Sequence, residues 1–556
     1  MNGSNSKQLQ YYEHKLGFDT KQKYPLRMRQ FIIPISIYCF LFITPFLYAQ
    51  EGKTFIDIHV NTSKKPFNSR STGLKYGLWE PMFHECGLEV DRSKTVMQNV
   101  GDVVPKQSQS NLEALVQGHT RIACLNLSPI EQPFIGTNSA LTDKNKKRTI
   151  SCISGVDANQ LFLRRKEIDY FKDLVENINF VERFENKPYI INGFQYDFSL
   201  IRSPKDLDNV LNDQSKVGMI LTIEGGHALG HSIYINDGIT DLAEYRDLIL
   251  NNVDRLKGSQ PLIDGSDIYL DVPILWISLC KNYSSGLGGH ANALTKAQQS
   301  IFSKATGVNN KETELGVDVI DRLISKDRGR RILIDIKHMS LDFRLRYYKT
   351  IERSEILGDG IPIVCSHCAV SGLSKKNALY KKRDEDSKNN NYYLNHWQQN
   401  LCAEDIKKIY DSNGLIGVTL DKIVLSGQTA LTEISETLPK TVQKRKACVK
   451  ILLANILTIV KTINEERAWD IISIGSDFDE MFEPLDTYQS AEDLPQLAID
   501  LQRFLERPEA IHDLFSEEDI RELMFDLTPA EITSKIMTGN AYHFIKRHLA
   551  NMKKTE

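Results

Sequence analysis

The sequence has little excess charge, few cysteines and only one long apolar run, and each shortage excludes a class of protein. Its 69 Lys and Arg residues are balanced by 72 Asp and Glu residues, for a net charge of −3, so the basic surplus that nucleic acids require is absent. Nine cysteines in 556 residues are too few for a disulfide framework. A single apolar run cannot build a multi-spanning membrane protein. What remains is a large globular protein with no nucleic-acid partner.

The one apolar run lies near the start of the chain. Residues 31–49 read FIIPISIYCFLFITPFLYA, and Arg27 and Arg29 precede them directly. A basic patch followed by an apolar run is typical of an export signal, here with cleavage after Ala49. A run of this length can also span a bilayer, so a retained membrane anchor is the alternative. We therefore predict an exported protein of the periplasm or cell envelope, which contacts a membrane only through residues 1–49 if they are retained.

After residue 50, short β-branched runs alternate with longer amphipathic stretches. Most of the short runs are almost continuously apolar, which favours parallel strands buried on both faces. Strands that alternate with helices in this number predict an α/β fold, a (β/α)8 TIM barrel with C-terminal helices, and a doubly wound open sheet is the alternative. The eight predicted strands are Phe55–Val60, Arg121–Leu127, Val217–Ile223, Ile274–Cys280, Ile332–Ile336, Ile361–Cys365, Leu415–Leu420 and Ile471–Ile474.

Two connections are long enough to be insertions into one barrel domain that spans residues 50–556. The first, residues 129–215, is predicted to contain its own helices and a hairpin. The second, residues 370–412, contains a Lys- and Asn-rich tract that is typical of a solvated loop. Near the C-terminus, the segment Thr528-Pro529-Ala530-Glu531 predicts a helix start, because it combines a capping box with proline in the first turn.

Polar residues concentrate where the predicted strands end. The carboxyl ends of the strands form the active-site mouth of a TIM barrel, and histidines with carboxylates at that mouth predict a site for zinc or a similar divalent ion. Glu224 has two oxygens with which to bridge two cations, and a water bound there would ionise near neutral pH. Asp477 is placed to accept that proton and pass it to a leaving nitrogen. The histidines and carboxylates at these strand ends include His59, Glu224, His227, His338, His367 and Asp477.

The motifs, taken in order over residues 54–547, resemble the membrane (renal) dipeptidase family, the M19 metallopeptidases of the amidohydrolase superfamily. The resemblance implies a (β/α)8 barrel with a binuclear zinc site that hydrolyses dipeptides and tolerates a D-residue at their C-terminal position. It also implies that Asp477 is the general acid/base and that Glu224 bridges the ions, with zinc ligands His59, Glu224, His338 and His367. The motifs are Asp57-x-His59, Ile223-Glu224-Gly225-Gly226-His227, Ile334-Asp335-x-x-His338, Ser366-His367, Gly475-Ser476-Asp477-Phe478-Asp479 and Gly539-Asn540.

Three positions depart from the family pattern. Asn61 stands where the family has a carboxylate, and because an amide oxygen carries no charge we expect it to be a weak ligand. Lys281 stands where the family has a substrate-contacting histidine, and lysine can bind a carboxylate or polarise a carbonyl instead. Gln399 and Asn400 correspond to an Arg-Asn pair that grips the substrate's terminal carboxylate. The metal count, one or two ions, therefore stays open.

Two functions are consistent with these residues. The first is a metal-dependent hydrolase that cleaves a dipeptide or related small amide, and the alternative is a catalytically impaired barrel that binds a ligand or partner. A third reading, a glycosidase with Glu224 and Asp477 as paired carboxylates, leaves the histidines unexplained. The sequence does not specify the oligomeric state, and a homodimer is one arrangement that we consider.

Overall fold

The structure is a computed structural model, and it describes most of the chain beyond residue 53. The described ranges are 54–69, 77–82, 108–135, 151, 168–236, 242–293, 307–353, 360–380, 392–480 and 483–552. The predicted export segment, residues 1–49, lies outside the described residues. Within those ranges, none of the helices has the length and apolar content needed to cross a bilayer.

Eight parallel strands form a nearly closed barrel, which confirms the predicted fold class. The hydrogen-bonded order is β1-β2-β5-β6-β7-β8-β9-β10. The ring closes where Val60, at the end of β1, pairs with Phe478, which lies just after β10. The ten strands are β1 Phe55–Val60, β2 Thr120–Leu127, β3 Tyr189–Ile191, β4 Phe194–Leu200, β5 Lys216–Glu224, β6 Ile274–Ser278, β7 Leu333–Asp335, β8 Val364–Cys368, β9 Leu415–Val418 and β10 Ile472–Ile474.

One barrel strand lies further along the chain than predicted. The apolar run Ile361–Cys365 predicted a strand ending before Ser366, whereas β8 runs from Val364 to Cys368. Pro362 has no N–H to donate to a neighbouring strand, and the backbone ladder with β9 begins at Val364. The consequence is that His367 lies inside the strand rather than in the loop after it.

The barrel strands are buried on both faces, as their continuous apolar pattern predicted. Outside them pack amphipathic helices such as Glu314–Ile324, which buries Val319, Ile320 and Leu323 in a spacing that places them on one face. The α-helices of the described residues are Lys64–Ser69, Leu112–Gln117, Gln132–Ile135, Tyr170–Glu182, Pro204–Asn212, Ser232–Asn236, Leu242–Leu256, Glu314–Ile324, Leu341–Arg353, Lys375–Tyr380, Ala403–Asp411, Lys422–Leu425, Gln428–Glu436, Val442–Ile463, Leu494–Glu506, Glu517–Leu523, Pro529–Ser534 and Asn540–Asn551.

The predicted insertion over residues 129–215 has helices and a hairpin in its described part. Helix Tyr170–Glu182 leads into the antiparallel pair β3 and β4. Strand β4 then pairs in parallel with the first part of β5, from Lys216 to Met219. At the C-terminus the capping box is confirmed, because the Thr528 hydroxyl accepts from the Glu531 N–H while the Glu531 carboxylate accepts from the Thr528 N–H.

A buried ion pair fastens the loop after β7 to the outer helices. Arg344 donates from Nε and Nη2 to the two oxygens of Asp405, both at 3.1 Å, and Tyr348 donates to the same carboxylate at 2.7 Å. Arg344 also donates from Nη1 to the carbonyl of Met339 at 2.9 Å. Since Met339 directly follows His338, this pair helps to hold a predicted metal ligand in place.

Two ion pairs join the same two helices, and we expect them to differ in their contribution to stability. Asp405→Asn should lower the free energy of unfolding by about 3–5 kcal/mol, because it leaves the Arg344 guanidinium buried without a counter-charge. The matched control, Glu352→Gln, removes the exposed partner of Lys408 and should cost less than about 1 kcal/mol. Equal losses of stability in equilibrium urea denaturation would contradict this ranking.

Candidate metal centre

The centre begins where β1 meets the chain that follows β10. Asp57 Oδ1 accepts from the backbone N–H groups of His59 and Ser476, each at 3.0 Å. Burial raises the pKa of Asp57 to about 6, although these hydrogen bonds act in the opposite direction. The His59 carbonyl accepts from the Asp477 N–H at 3.0 Å. These bonds set the two side chains next to each other, with His59 Nε2 3.7 Å from Asp477 Oδ1.

Glu224 occupies the end of β5, and the chain turns sharply after it. Gly225 has φ +101°, in the region that favours glycine, and a Cβ atom there would lie 2.3 Å from the His227 ring. The turn also carries His227 away from the centre, where its Nε2 lies 2.9 Å from the Pro129 carbonyl. The backbone geometry after Glu224 therefore requires a glycine.

The two oxygens of Glu224 face different partners. Oε1 lies 2.8 Å from His338 Nε2 and 3.3 Å from His367 Nε2, whereas Oε2 accepts from Lys281 at 2.7 Å and from Asn126 at 2.9 Å. Burial alone would raise the pKa of Glu224, but the Lys281 charge and the histidine hydrogen bonds hold it well below its usual range. Glu224 is thus a buried carboxylate with a cationic side and an imidazole side.

Lys281 uses all of its hydrogen-bonding capacity inside the centre. An ammonium group has three N–H donors, and Nζ lies 2.6 Å from Ser128 Oγ, 2.7 Å from Glu224 Oε2 and 2.7 Å from Glu480 Oε1. Burial would lower the pKa of Lys281, but the two carboxylates raise it above its usual value. Glu480 in turn contacts the ammonium group of Lys64. Lys281 therefore carries a fixed positive charge.

A chain of hydrogen bonds fixes which nitrogen of His367 bears the proton. Ser366 Oγ donates to Asp335 Oδ2 at 2.6 Å, so the same oxygen must accept from His367 Nδ1, which lies 2.8 Å away. The proton on Nδ1 leaves Nε2 with a free lone pair directed at Glu224. Such a partner on the far ring nitrogen is the usual support of a histidine metal ligand.

Three residues of the centre have left-handed backbone conformations. His338, Asp477 and Asp479 have φ values of 66°, 68° and 70°, which cost free energy in residues other than glycine and cluster at functional sites. Asp479 is braced on both oxygens, since Oδ1 accepts from Lys65 at 2.8 Å and Oδ2 accepts from the Ser110 N–H at 2.8 Å. This second aspartate of the Asp-Phe-Asp motif holds the loop that presents Asp477.

The residues of the centre fit a divalent ion. Two triads bring one ligand atom from each member within 4.8 Å of one another, namely His59, His367 and Asp477, and Glu224, His338 and His367. Both ring nitrogens of His59 and Nδ1 of His338 are buried and have no hydrogen-bond partner among the described residues. Burial lowers the pKa of His59 to about 4, so its imidazole is neutral, the form that binds metal.

Asn61, predicted as a weak ligand, is engaged in an amide network. Asn126 Nδ2 donates to Asn61 Oδ1 at 2.7 Å as well as to Glu224, and Asn61 Nδ2 lies 3.3 Å from Asp477 Oδ1. Because Asn126 must present its hydrogens to the Glu224 carboxylate, the amide of Asn61 has to present its oxygen to Asn126. The sequence indicated Asn61, but neither Asn126, Ser128 nor Glu480 belonged to the predicted set.

The three predicted substrate contacts, Lys281, Gln399 and Asn400, are all buried, and Lys281 is already engaged by its three partners in the centre. Asn400 Nδ2 donates to the backbone carbonyls of Asn395 and Val424, each at 2.9 Å. Its remaining polar atom is an oxygen, which accepts hydrogen bonds and would repel a carboxylate. The role of Gln399 and Asn400 in substrate binding stays a prediction.

No protein-family model matches the sequence, and no curated protein matches it. Among solved structures, the chain is similar to dipeptidase AC, a metallopeptidase of family M19, at 11% identity and a TM-score of 0.44 over 90% of this chain and 99% of that one. A metallopeptidase from Rhodobacter sphaeroides, liganded with a phosphinate mimic of the dipeptide L-Ala-D-Ala, gives 11% identity and a TM-score of 0.43 over 90% and 99%. The probable dipeptidase PvdM from Pseudomonas aeruginosa gives 14% identity and a TM-score of 0.45 over 90% and 96%. What the centre can do chemically has to follow from its own residues.

Proposed function

We propose that this chain is a metal-dependent hydrolase of the dipeptidase type, which cleaves a dipeptide or a related small amide. The observation that supports this function is the convergence of the Glu224, His338 and His367 ligand atoms beside His59 and Asp477. Nitrogen and carboxylate ligands in this ratio suit Zn²⁺, so zinc is the ion that we propose. A metal-activated water and a neighbouring carboxylate together supply the nucleophile and the proton transfer that amide hydrolysis needs.

Each side chain has a distinct task in this reaction. A divalent ion held by Glu224, His338 and His367 would lower the pKa of a water molecule and polarise a carbonyl. Asp477 then takes the proton of the attacking water on its carboxylate and returns it to the leaving nitrogen. Asn61 holds Asp477 from one side, and the backbone bond from Asp477 to the His59 carbonyl fixes its distance from the ligands.

A binding protein without catalysis is the second candidate, and one observation favours it. Glu224 Oε2 is already occupied by Lys281 and Asn126, so the side of the carboxylate that a second ion would use is filled. A barrel with this feature would keep the metal-binding residues and recognise a small ligand. Metal binding without turnover of any member of a dipeptide and acyl-amide panel would support this candidate over the hydrolase.

Removing one ligand should abolish both metal binding and hydrolysis. His338→Ala deletes an imidazole whose Nε2 faces Glu224, so the protein purified with Zn²⁺ should lose its metal and its dipeptidase activity. His227→Gln is the matched control, because His227 is also buried at the barrel mouth but donates to a backbone carbonyl that an amide can still reach. Metal analysis by plasma mass spectrometry and a ninhydrin assay provide the readouts. A His338→Ala protein with wild-type metal content would refute the assignment.

Removing the acid/base should separate catalysis from metal binding. Asp477→Asn keeps the size of the side chain but cannot accept a proton, so we expect turnover to fall about 10²–10⁴-fold. The metal content should stay at the wild-type level, because the Glu224 triad is intact. Unchanged turnover in Asp477→Asn at saturating substrate would mean that another group moves the proton.

The Asp335–Ser366–His367 chain should affect metal affinity without supplying a ligand. Ser366→Ala removes the acceptor that holds the proton on His367 Nδ1, so we expect zinc affinity to fall about 10–100-fold. Competition with a fluorescent chelator measures this change. Ser371→Ala is the control, since Ser371 is a buried serine that donates to the Leu401 carbonyl and lies outside the two triads. The same affinity in wild type and Ser366→Ala would contradict the role of the chain.

A further inference from the structure

The number of ions that the centre can hold follows from the two sides of Glu224. A carboxylate that bridges two ions through its two oxygens needs each oxygen free to bind one of them. Here Oε1 faces two imidazoles, and Oε2 already accepts from the Lys281 ammonium group at 2.7 Å. An ion bound to Oε2 would lie about 2.0–2.2 Å from it, in the space where the ammonium group now sits.

Lys281 cannot easily move aside for such an ion. Its Nζ is held by Glu480 and Ser128 as well as by Glu224, and its side chain is 5% exposed. A displaced ammonium group would lose three partners and would leave Glu480 with the Lys64 charge alone. The positive charge beside Glu224 Oε2 therefore comes from the protein itself, as the Lys281 ammonium group.

The amide network closes the remaining access to Oε2. Asn126 donates one hydrogen to Glu224 Oε2 and the other to Asn61 Oδ1. The side-chain oxygen that Asn61 could offer to a metal is thus already an acceptor. A second ion on this side would have to break the bonds of Lys281 and of Asn126 together.

The histidines also indicate that the centre binds one ion. Both triads contain His367, whose Nδ1 is bonded to Ser366, so only Nε2 has a lone pair for a metal. One lone pair binds one ion, so the two triads cannot each hold an ion of their own.

We propose that the centre binds a single divalent ion, and that the Lys281 ammonium group supplies the second positive charge on Glu224. Lys281 is then a positioning residue, which fixes Oε2 and leaves Oε1 to the metal. This inference rests on the proposed function only in taking the centre to be a metal site, and it makes no demand on the substrate.

Metal stoichiometry tests this inference through two substitutions at departures from the family pattern. Wild-type protein and Asn61→Asp, loaded with Zn²⁺ and desalted, should each retain about one ion per chain, because Lys281 still fills the position on Oε2. The double variant Asn61→Asp/Lys281→His removes the ammonium group and adds ligands, so it should retain about two ions. Lys444→Met, which removes a buried lysine paired with Asp486 elsewhere in the fold, should stay at about one.

Loading with Mn²⁺ gives a second readout that does not depend on activity. Electron paramagnetic resonance should show the hyperfine pattern of isolated ions in wild type and the pattern of an exchange-coupled pair in the double variant. Two ions in wild type or in Asn61→Asp would overturn the inference, as would a folded double variant that retains only one. If the double variant does not fold, the wild-type and Asn61→Asp counts still decide the question.

The outcome separates this inference from the proposed function. One ion per chain with no hydrolysis of any dipeptide would refute the hydrolase and support the single-ion centre. Two ions per chain with rapid hydrolysis would support the hydrolase and refute the single-ion centre. Wild-type protein that retains no ion would contradict both.

Discussion

The rest of the centre depends on the burial of the Glu224 carboxylate between a lysine ammonium group and two imidazoles. A charge in the interior of a barrel is costly unless it is paired and hydrogen-bonded. Lys281 and Asn126 satisfy one oxygen, and the other is directed at His338 and His367. The groups that meet at this carboxylate come from β2, from the chain after β6 and β7, and from β8. The barrel brings them together because the carboxyl ends of parallel strands share one rim.

Beneath the ligands, a buried aspartate that accepts two backbone N–H groups occurs twice. Within β1, Asp57 Oδ1 accepts from the N–H of His59, two positions on, and from the N–H of Ser476 in the neighbouring segment that follows β10. At the end of β7, Asp335 Oδ1 does the same with Lys337 and Ser366. Each buried aspartate therefore joins two neighbouring segments of the barrel and fixes the backbone that leads to a histidine of the centre. The aspartates of the Asp-x-His and Asp-x-x-His motifs hold the backbone in place, and the histidines are the candidate metal ligands.

Much of the fold could be predicted from the sequence, because buried parallel strands leave short, almost continuous apolar runs that alternate with amphipathic stretches. The strand β8 was placed too early, since the apolar run includes Ile361 and Pro362 whereas the backbone ladder starts at Val364. The histidines and Glu224 were found because they lie at, or within two residues of, the ends of apolar runs. Asn126, Ser128 and Glu480 were missed. Nothing in a local pattern shows that the Asn126 amide will meet Glu224, or that the Ser128 hydroxyl and the Glu480 carboxylate will both meet Lys281. Lys281 was recognised as a departure, but its three partners could come only from the three-dimensional arrangement.

Crystals grown with Zn²⁺ and measured at the zinc absorption edge would test the central claim most directly. The account predicts one anomalous peak per chain at the barrel mouth, in contact with Glu224 Oε1, with Lys281 still bonded to Oε2. Two peaks that share Glu224, with the Lys281 side chain displaced, would contradict it.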